Sequence, residues 1–432
     1  MERTIFKDLL KWKNKAKRKP LILQGARQVG KTWAMKEFGA RYYENTAYVN
    51  LDNNPAMKAS FERDSDISRI LEDISIETGV QIIPDKTLII LDEVQEVPTA
   101  LSALKYFYEN APEYHIMVAG SLLGVAIHKG VSFPVGKVNI LRMYPLSFGE
   151  FVRAMGEDTL SKFIYDIQSD KNVTFRDKYS DLLKKYYFIG GMPEAIQSYI
   201  DEGDLDEVRQ IQNEILALYE NDFSKHIEKK SELERTRMVW NSLPMQLSKE
   251  NKKFFFGKIK KGGRSAEFEV SIQWLVDCGL AHKVFCVSKP GVPLKSYTEF
   301  SAFKLFAADV GLLAAMSGLD ARSILEGNRI FTEFKGALAE QYVLQELMVM
   351  GEYTPYYYSN EKSKNEIDFL IQDGKDVIPI EVKAEENLKS KSLRAFVEKF
   401  KFEKAIRFSM NNYRKQDYLT NIPLWNVEGI KS

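Results

Sequence analysis

Leu21-Ile-Leu-Gln-Gly25-Ala-Arg-Gln-Val-Gly30-Lys31-Thr32-Trp-Ala-Met35 decides how the first part of this 432-residue chain folds. It reads as a short apolar strand, then Gly-x-x-x-x-Gly-Lys-Thr, then a helix-forming segment. That is the strand–loop–helix setting of a phosphate-binding loop. Gly25 and Gly30 permit turns that side chains would block, so the backbone N–H groups of Gly25, Ala26, Arg27, Gln28, Val29 and Gly30 can face phosphate oxygens. The helix opening near Lys31 adds the positive end of its dipole. Lys31 is expected to reach the β- and γ-phosphates as a catalytic group, and the Thr32 hydroxyl to ligate magnesium. The expected ligands are ATP and Mg2+.

Downstream, Thr87-Leu-Ile-Ile-Leu-Asp92-Glu93-Val-Gln-Glu96 is a continuous apolar run ending in two carboxylates. Such a run suits a strand buried on both faces of a parallel sheet. Asp92 is placed to hold magnesium through water, and Glu93 to polarise the attacking water. An Asp-Glu pair also closes many strands without chemistry; the phosphate loop upstream favours the catalytic reading here. A third run, His115-Ile-Met-Val-Ala-Gly-Ser121, reads as the neighbouring strand. Ser121 is there either a polar sensor of the γ-phosphate or a turn residue.

The length predicts two or three domains, each able to bury a core. Hydrophobic residues make up 44% and charged residues 28%, as in ordinary globular protein. Lys and Arg total 61 against 60 Asp and Glu, so any basic footprint for nucleic acid must be local. Cys278 and Cys286, with four scattered histidines, form neither a disulfide framework nor a zinc pattern, which fits a reducing compartment. The lysine-rich start lacks the apolar core of a signal peptide. Ile5, Leu9, Leu10 and Trp12 suggest a short amphipathic helix packed on the core, its basic face solvated; membrane-surface binding is the alternative. No apolar run approaches a membrane span, and a cytoplasmic protein without a membrane partner is expected.

Residues 1–150 alternate strand-like segments (21–24, 47–52, 88–92, 116–120, 137–142) with helix-like ones. The pattern predicts an α/β domain, a mainly parallel sheet with helices on both faces and nucleotide at the strands' carboxyl ends. Pro145-Leu-Ser-Phe-Gly-Glu150 is read as closing it. Residues 151–240 read as a charged, helical, lid-like region. Its turn Gly190-Gly-Met-Pro-Glu194 is either a plain loop or a place where backbone passes close to nucleotide or a neighbouring helix. Residues 241–310 hold a helix at 268–279 and β-like stretches at 280–287 and 293–297, the outline of a winged helix. Lys252, Lys253, Lys258, Lys260, Lys261 and Arg264 precede it; such a module either neutralises DNA phosphates or packs on protein.

Residues 311–432 carry a second chemical signal. In Val377-Ile-Pro-Ile-Glu381-Val-Lys383, Glu381 and Lys383 project from one face of a strand. Asn365-Glu-Ile-Asp368-Phe-Leu-Ile-Gln372 is a second strand, joined through Asp373-Gly374, and a helix near 334–350 carries Glu340. A helical Glu, a strand Asp and a strand Glu-x-Lys, in that order, form a metal-dependent nuclease constellation. Asp368, Glu381 and Glu340 would hold Mg2+ or Mn2+, and Lys383 would orient or deprotonate the attacking water. Glu-x-Lys on a strand is common without chemistry, and a fold outlives its activity, so cleavage stays open.

With these motifs in hand, the chain resembles the prokaryotic AAA-superfamily ATPases whose C-terminal domain of unknown function has a restriction-endonuclease-like, PD-(D/E)XK, fold. The likeness rests on Gly25-Ala-Arg-Gln-Val-Gly-Lys-Thr32, Leu91-Asp-Glu-Val94, Ala119-Gly-Ser121, Pro145-Leu-Ser-Phe-Gly-Glu150, Gly190-Gly-Met-Pro193, Lys304-Leu-Phe-Ala-Ala-Asp-Val-Gly-Leu-Leu313 and Glu381-Val-Lys383. It implies ATP binding by Lys31, Thr32 and Asp92, with hydrolysis assisted by Glu93. Where the family places Gly-Arg ahead of Pro-Leu-Ser, this chain has Gly136-Lys137, and Lys lacks the planar fork of Arg. Arg142 is a candidate to compensate, but no arginine finger is assigned.

The expected function is an ATPase that couples nucleotide state to a nuclease-like domain, with DNA or another protein as partner and an oligomer allowed. The rival is a non-enzymatic nucleotide switch or adaptor whose end domain recognises nucleic acid or protein without cutting.

Overall fold

The computed structural model describes residues 1–120, 133–249, 252–327, 329–360, 365–384 and 391–431. The chain divides into two compact units, Arg3–Tyr144 with Asp277–Gly279, and Pro145–Val276 with Leu280–Ser432 and the first two residues.

The first unit is built on five parallel strands, β1 (Leu21–Gln24), β2 (Asn45–Asn50), β3 (Thr87–Asp92), β4 (His115–Ala119) and β5 (Asn139–Arg142). Their order is β2-β3-β4-β1-β5. Every residue of β3 and β4 is buried, as continuous apolar runs under helices on both faces require. Ile70 and Ile74 from one helix and Leu101, Leu104 and Phe107 from another share a core with Ile89, Leu91, Ile116 and Val118. The amphipathic N-terminal helix spans Ile5–Lys13 and buries Phe6, Leu9 and Trp12, one step off the predicted face. Just before it, the Arg3 guanidinium donates to Val29 O at 3.0 Å and to Tyr144 O at 2.7 Å, pinning the loop between Gly25 and Gly30.

The second unit holds an eight-stranded mixed sheet: β6 (Ala281–Val287), β7 (Thr298–Ala307), β8 (Tyr356–Asn360), β9 (Asn365–Asp373), β10 (Asp376–Val382), β11 (Ala405–Ser409), β12 (Arg414–Gln416) and β13 (Leu419–Pro423). The order is β12-β13-β11-β10-β9-β8-β6-β7. β9 and β10 form the predicted hairpin, turning at Gly374, whose φ of 57° suits glycine. The helix Lys391–Phe400 then leads from β10 to its parallel neighbour β11 and packs Leu393, Phe396 and Val397 on this sheet.

Two sequence expectations change here. The second β-like stretch, 293–297, is a 3-10 turn at Leu294–Tyr297, and the strand runs from Thr298 to Ala307. The β6–β7 hairpin is no free wing, because β6 also pairs in parallel with β8 and joins the C-terminal sheet. The stretch 241–310 therefore shares its sheet with residues beyond 311. Pro145–Glu150 packs within the second unit.

That packing follows from how the helix Phe148–Ala154 begins. Ser147 and Glu150 form a capping box, with Glu150 N donating to Ser147 Oγ at 3.2 Å and Ser147 N to Glu150 Oε2 at 3.1 Å. Phe148 N donates to Glu346 Oε1 at 3.0 Å, and Gly149 N to Glu428 Oε1 at 2.8 Å. Each free N–H of the first turn thus meets an acceptor. Burial, then the neighbouring Glu428, pushes the Glu346 carboxyl well above the usual carboxylate range. A carboxyl with a raised folded-state value favours folding at low pH, and that contribution is lost as pH rises through it. Melting temperature should therefore fall as pH rises above the ordinary carboxylate range, and Glu346→Gln should flatten this slope and raise the melting point at its alkaline end by a few degrees. A slope unchanged by the substitution would contradict the assignment.

Candidate functional site

The phosphate-binding loop joins β1 to the helix Lys31–Tyr42. Gly30 caps that helix at φ 92°, a left-handed conformation that a side chain would strain, and Gln28 is held at φ 66°. A Cβ on Gly25 would lie 2.2 Å from Met143 O, so only glycine lets the loop pass β5. Lys31 is nearly fully buried and donates to Gly25 O at 3.0 Å and Ala26 O at 2.8 Å. Its ammonium curls back on the loop's own carbonyls. Burial lowers its pKa to about 8, and Glu93 and Asp92 oppose that shift. Gln28 Oε1 is buried with no hydrogen-bond partner.

Because β4 lies between β1 and β3, Asp92 faces the loop from one strand further along the same carboxyl edge. Thr32 Oγ1 donates to Asp92 Oδ2 at 2.5 Å. The hydroxyl and carboxylate predicted to share a magnesium ion are therefore in contact, and both are hard oxygen donors suited to it. Glu93 follows at φ 53°, an uncommon conformation for this residue, with Gln95 Nε2 donating to its Oε2 at 2.6 Å. Together, the buried ammonium and the adjoining Thr32 and Asp92 oxygen donors fit a nucleotide triphosphate with its metal.

Tyr48 was not foreseen. Its hydroxyl donates to Asp92 Oδ2 at 3.3 Å, and the Lys36 ammonium sits 3.5 Å from its ring centroid. Burial and Asp92 push the phenol up to about 12. The signal was available in the alternation of β2, where Tyr48 and Asn50 point the same way and Asn50 is in register with Asp92. Ser121 lies outside the described residues. Lys137 is paired with Glu109 at 2.9 Å, and Arg142 is exposed.

The Gly190–Gly191 turn lies against a neighbouring helix start within the second unit. Gly191 N donates to Asp309 Oδ2 at 2.6 Å, and a Cβ on Gly190 would meet Asp309 Oδ1 at 2.1 Å. Asp309 is fully buried and caps the helix Val310–Met316 through Leu312 N at 2.9 Å. Gln345 Nε2 completes its partners at 3.3 Å.

The predicted C-terminal set does converge. Glu340 lies on the helix Arg329–Met350, Asp368 on β9, Glu381 on β10 and Lys383 just beyond it. Asp368 Oδ2 accepts from Val382 N at 2.7 Å, and Lys383 Nζ is 2.6 Å from Glu381 Oε1. Two lysines missing from the predicted site enter as well. Lys252 pairs with Glu340 Oε1, and Lys304 lies 3.6 Å from Glu340 Oε2 and 2.6 Å from Glu366 Oε1. Burial alone would raise Glu340, but Lys252 and Lys304 hold its carboxyl below the usual value. Burial, then Glu340 and Glu381, pushes Asp368 well above it. Among the described residues, no group of three or more His, Cys, Asp or Glu side chains is arranged to hold a metal ion. As placed, Glu340 and Glu381 are paired with lysines and Asp368 accepts from a backbone amide, so the trio predicted as metal ligands does not fit a preformed divalent site.

Residues 17–152 match a family model described as an AAA domain, while 180–323 and 335–427 match two domains of unknown function, DUF8612 and DUF4143. The N-terminal part is thus similar to AAA-type, ATP-binding P-loop ATPase domains. No curated protein matches the chain. Among solved structures, the Walker-type ATPase PABY2304 of Pyrococcus abyssi is 13% identical, with 73% of this chain and 95% of that one covered at a TM-score of 0.46. Cdc6p from Pyrobaculum aerophilum is 12% identical, covering 74% and 91% at 0.25. The Aeropyrum pernix Orc1 protein in complex with DNA is 13% identical, covering 73% and 90% at 0.26. No helix among the described residues is long and apolar enough to cross a membrane.

Proposed function

We propose that the chain is a Mg2+-dependent ATPase that couples its nucleotide state to a nuclease-like C-terminal domain. The observation that supports it most is the contact between Thr32 and Asp92 beside a buried Lys31. In this reading Lys31 leaves the loop carbonyls and pairs with the β- and γ-phosphates. Thr32 and Asp92 hold the metal, which offsets phosphate charge when bound. Glu93 orients the attacking water and draws its proton, and Tyr48 keeps the Asp92 carboxylate in place. Ser121 remains the proposed γ-phosphate sensor.

The C-terminal domain is read as restriction-endonuclease-like because a helix, the β9–β10 hairpin and a crossover to parallel β11 carry Glu340, Asp368, Glu381 and Lys383 in the expected order. The pairing of its carboxylates with Lys252 and Lys304 favours recognition over cleavage. Lys258, Lys260, Lys261 and Arg264 are exposed, which suits contact with nucleic acid phosphates. DNA is thus the proposed partner.

Glu93→Gln tests the ATPase. The variant should bind ATP as wild type does and hydrolyse it about 100- to 1,000-fold more slowly, in the range for loss of a general base. Equal steady-state rates for the two proteins would overturn the assignment.

A further inference from the structure

The second unit buries a lysine where a nuclease-like site would seat its metal. Lys304 is the third residue of the run Ala302-Phe-Lys-Leu-Phe-Ala307, and its side chain is 0% exposed. An ammonium in that position survives only with carboxylates around it. Glu340 Oε2 at 3.6 Å and Glu366 Oε1 at 2.6 Å supply them, and the ring of Tyr357 lies 5.0 Å away. The second oxygen of Glu340 is taken by Lys252, whose side chain is 10% exposed. Lys383, at 33%, closes on Glu381.

Four carboxylates, Glu340, Glu366, Asp368 and Glu381, thus face three lysines. Glu340, Glu366 and Glu381 each have a lysine partner and Asp368 accepts from Val382 N, so little free charge is left to draw in a divalent ion that must also shed water. The three lysines differ in freedom. Lys383 can swing outward at small cost, and Lys252 sits near the rim. Lys304 cannot leave, because its stem is held inside β7 between apolar neighbours, and any exit drags an unpaired charge through the core.

We infer that Lys304 and Lys252 stand in for the divalent cation, so that this nuclease-like site is closed to Mg2+ and Mn2+ and its domain binds without cutting. The ammonium groups tie the helix Arg329–Met350 to β7 and β9, a task that metal would otherwise perform. This deepens the non-cleaving reading above and is independent of nucleotide hydrolysis.

The test uses the full chain carrying Lys31→Ala and Asp92→Asn, which removes metal uptake at the nucleotide site. Free Mn2+ is followed by its electron paramagnetic resonance signal. No Mn2+ should be taken up more tightly than about 1 mM, the weak end for oxygen-ligand sites. Adding Lys304→Met should create uptake at least about tenfold tighter, accompanied by a Mn2+-dependent rise in melting temperature. Should that variant not fold, Lys252→Met at the rim gives the same gain in weaker form. One Mn2+ bound by the parent chain and lost on Asp368→Asn would overturn the inference. So would uptake that is the same with and without the two lysines.

Discussion

Lys31→Ala should weaken ATP binding by about 30-fold to several thousand-fold, the 2–5 kcal/mol usual for removing one partner of a buried, hydrogen-bonded charge pair. Hydrolysis should vanish with it. The fold should survive, because Lys31 spends its two hydrogen bonds on carbonyls of its own loop. Its lowered pKa of about 8 means that burial works against the charged form, so removing it relieves a cost. The same value sets a pH dependence. Apo protein carries the ammonium below about pH 8 and loses it above, so ATP affinity should decline from pH 8 upward. In Lys31→Ala that decline should disappear. Titration with labelled nucleotide across pH 6.5 to 9.5, with circular dichroism to check folding, reads both effects. Tight binding by the variant would end the case for a phosphate loop.

Asp309→Ala should cost the second unit about 3–5 kcal/mol, enough to lower its denaturation midpoint sharply in urea. The carboxylate is fully buried and accepts from Gly191 N, Leu312 N and Gln345 Nε2. Ala leaves the buried Gly191 and Leu312 amides without their acceptor, while Gln345 Nε2 keeps only Tyr186 Oη. Asn should be less harmful, since it keeps one acceptor oxygen. A midpoint within error of wild type for the Ala variant would show that the Gly190–Gly191 turn is held by something else.

Legibility in the sequence tracked the distance over which the deciding partners act. β1, β3 and β4 were readable because their apolar runs are short, continuous and bounded, and the loop motif needs only eight residues. The role of Pro145–Glu150 was not readable. Its partners Glu346 and Glu428 lie 198 and 279 positions away from the amides they accept from. The second hairpin strand was placed too early because the first half of β7 is solvent-facing and carries no hydrophobic period. Arg3 acts on the nucleotide loop through backbone carbonyls, which leave no mark in a sequence. Lys304 did leave one. A lysine inside the apolar run Ala302–Ala307 calls for buried carboxylates, and Glu340 belongs to the predicted C-terminal set.

One helix, Arg329–Met350, meets most of these distant partners. Glu340 faces Lys304, Gln341 accepts from Ala307 N, Gln345 accepts from Val310 N, and Glu346 accepts from Phe148 N. Moving this helix and the C-terminal strands without those segments would strand Glu340, Gln341, Gln345 and Glu346 without their partners. Substitutions along that helix are therefore constrained together by three other elements, β7 and the helices that begin at Val310 and Phe148.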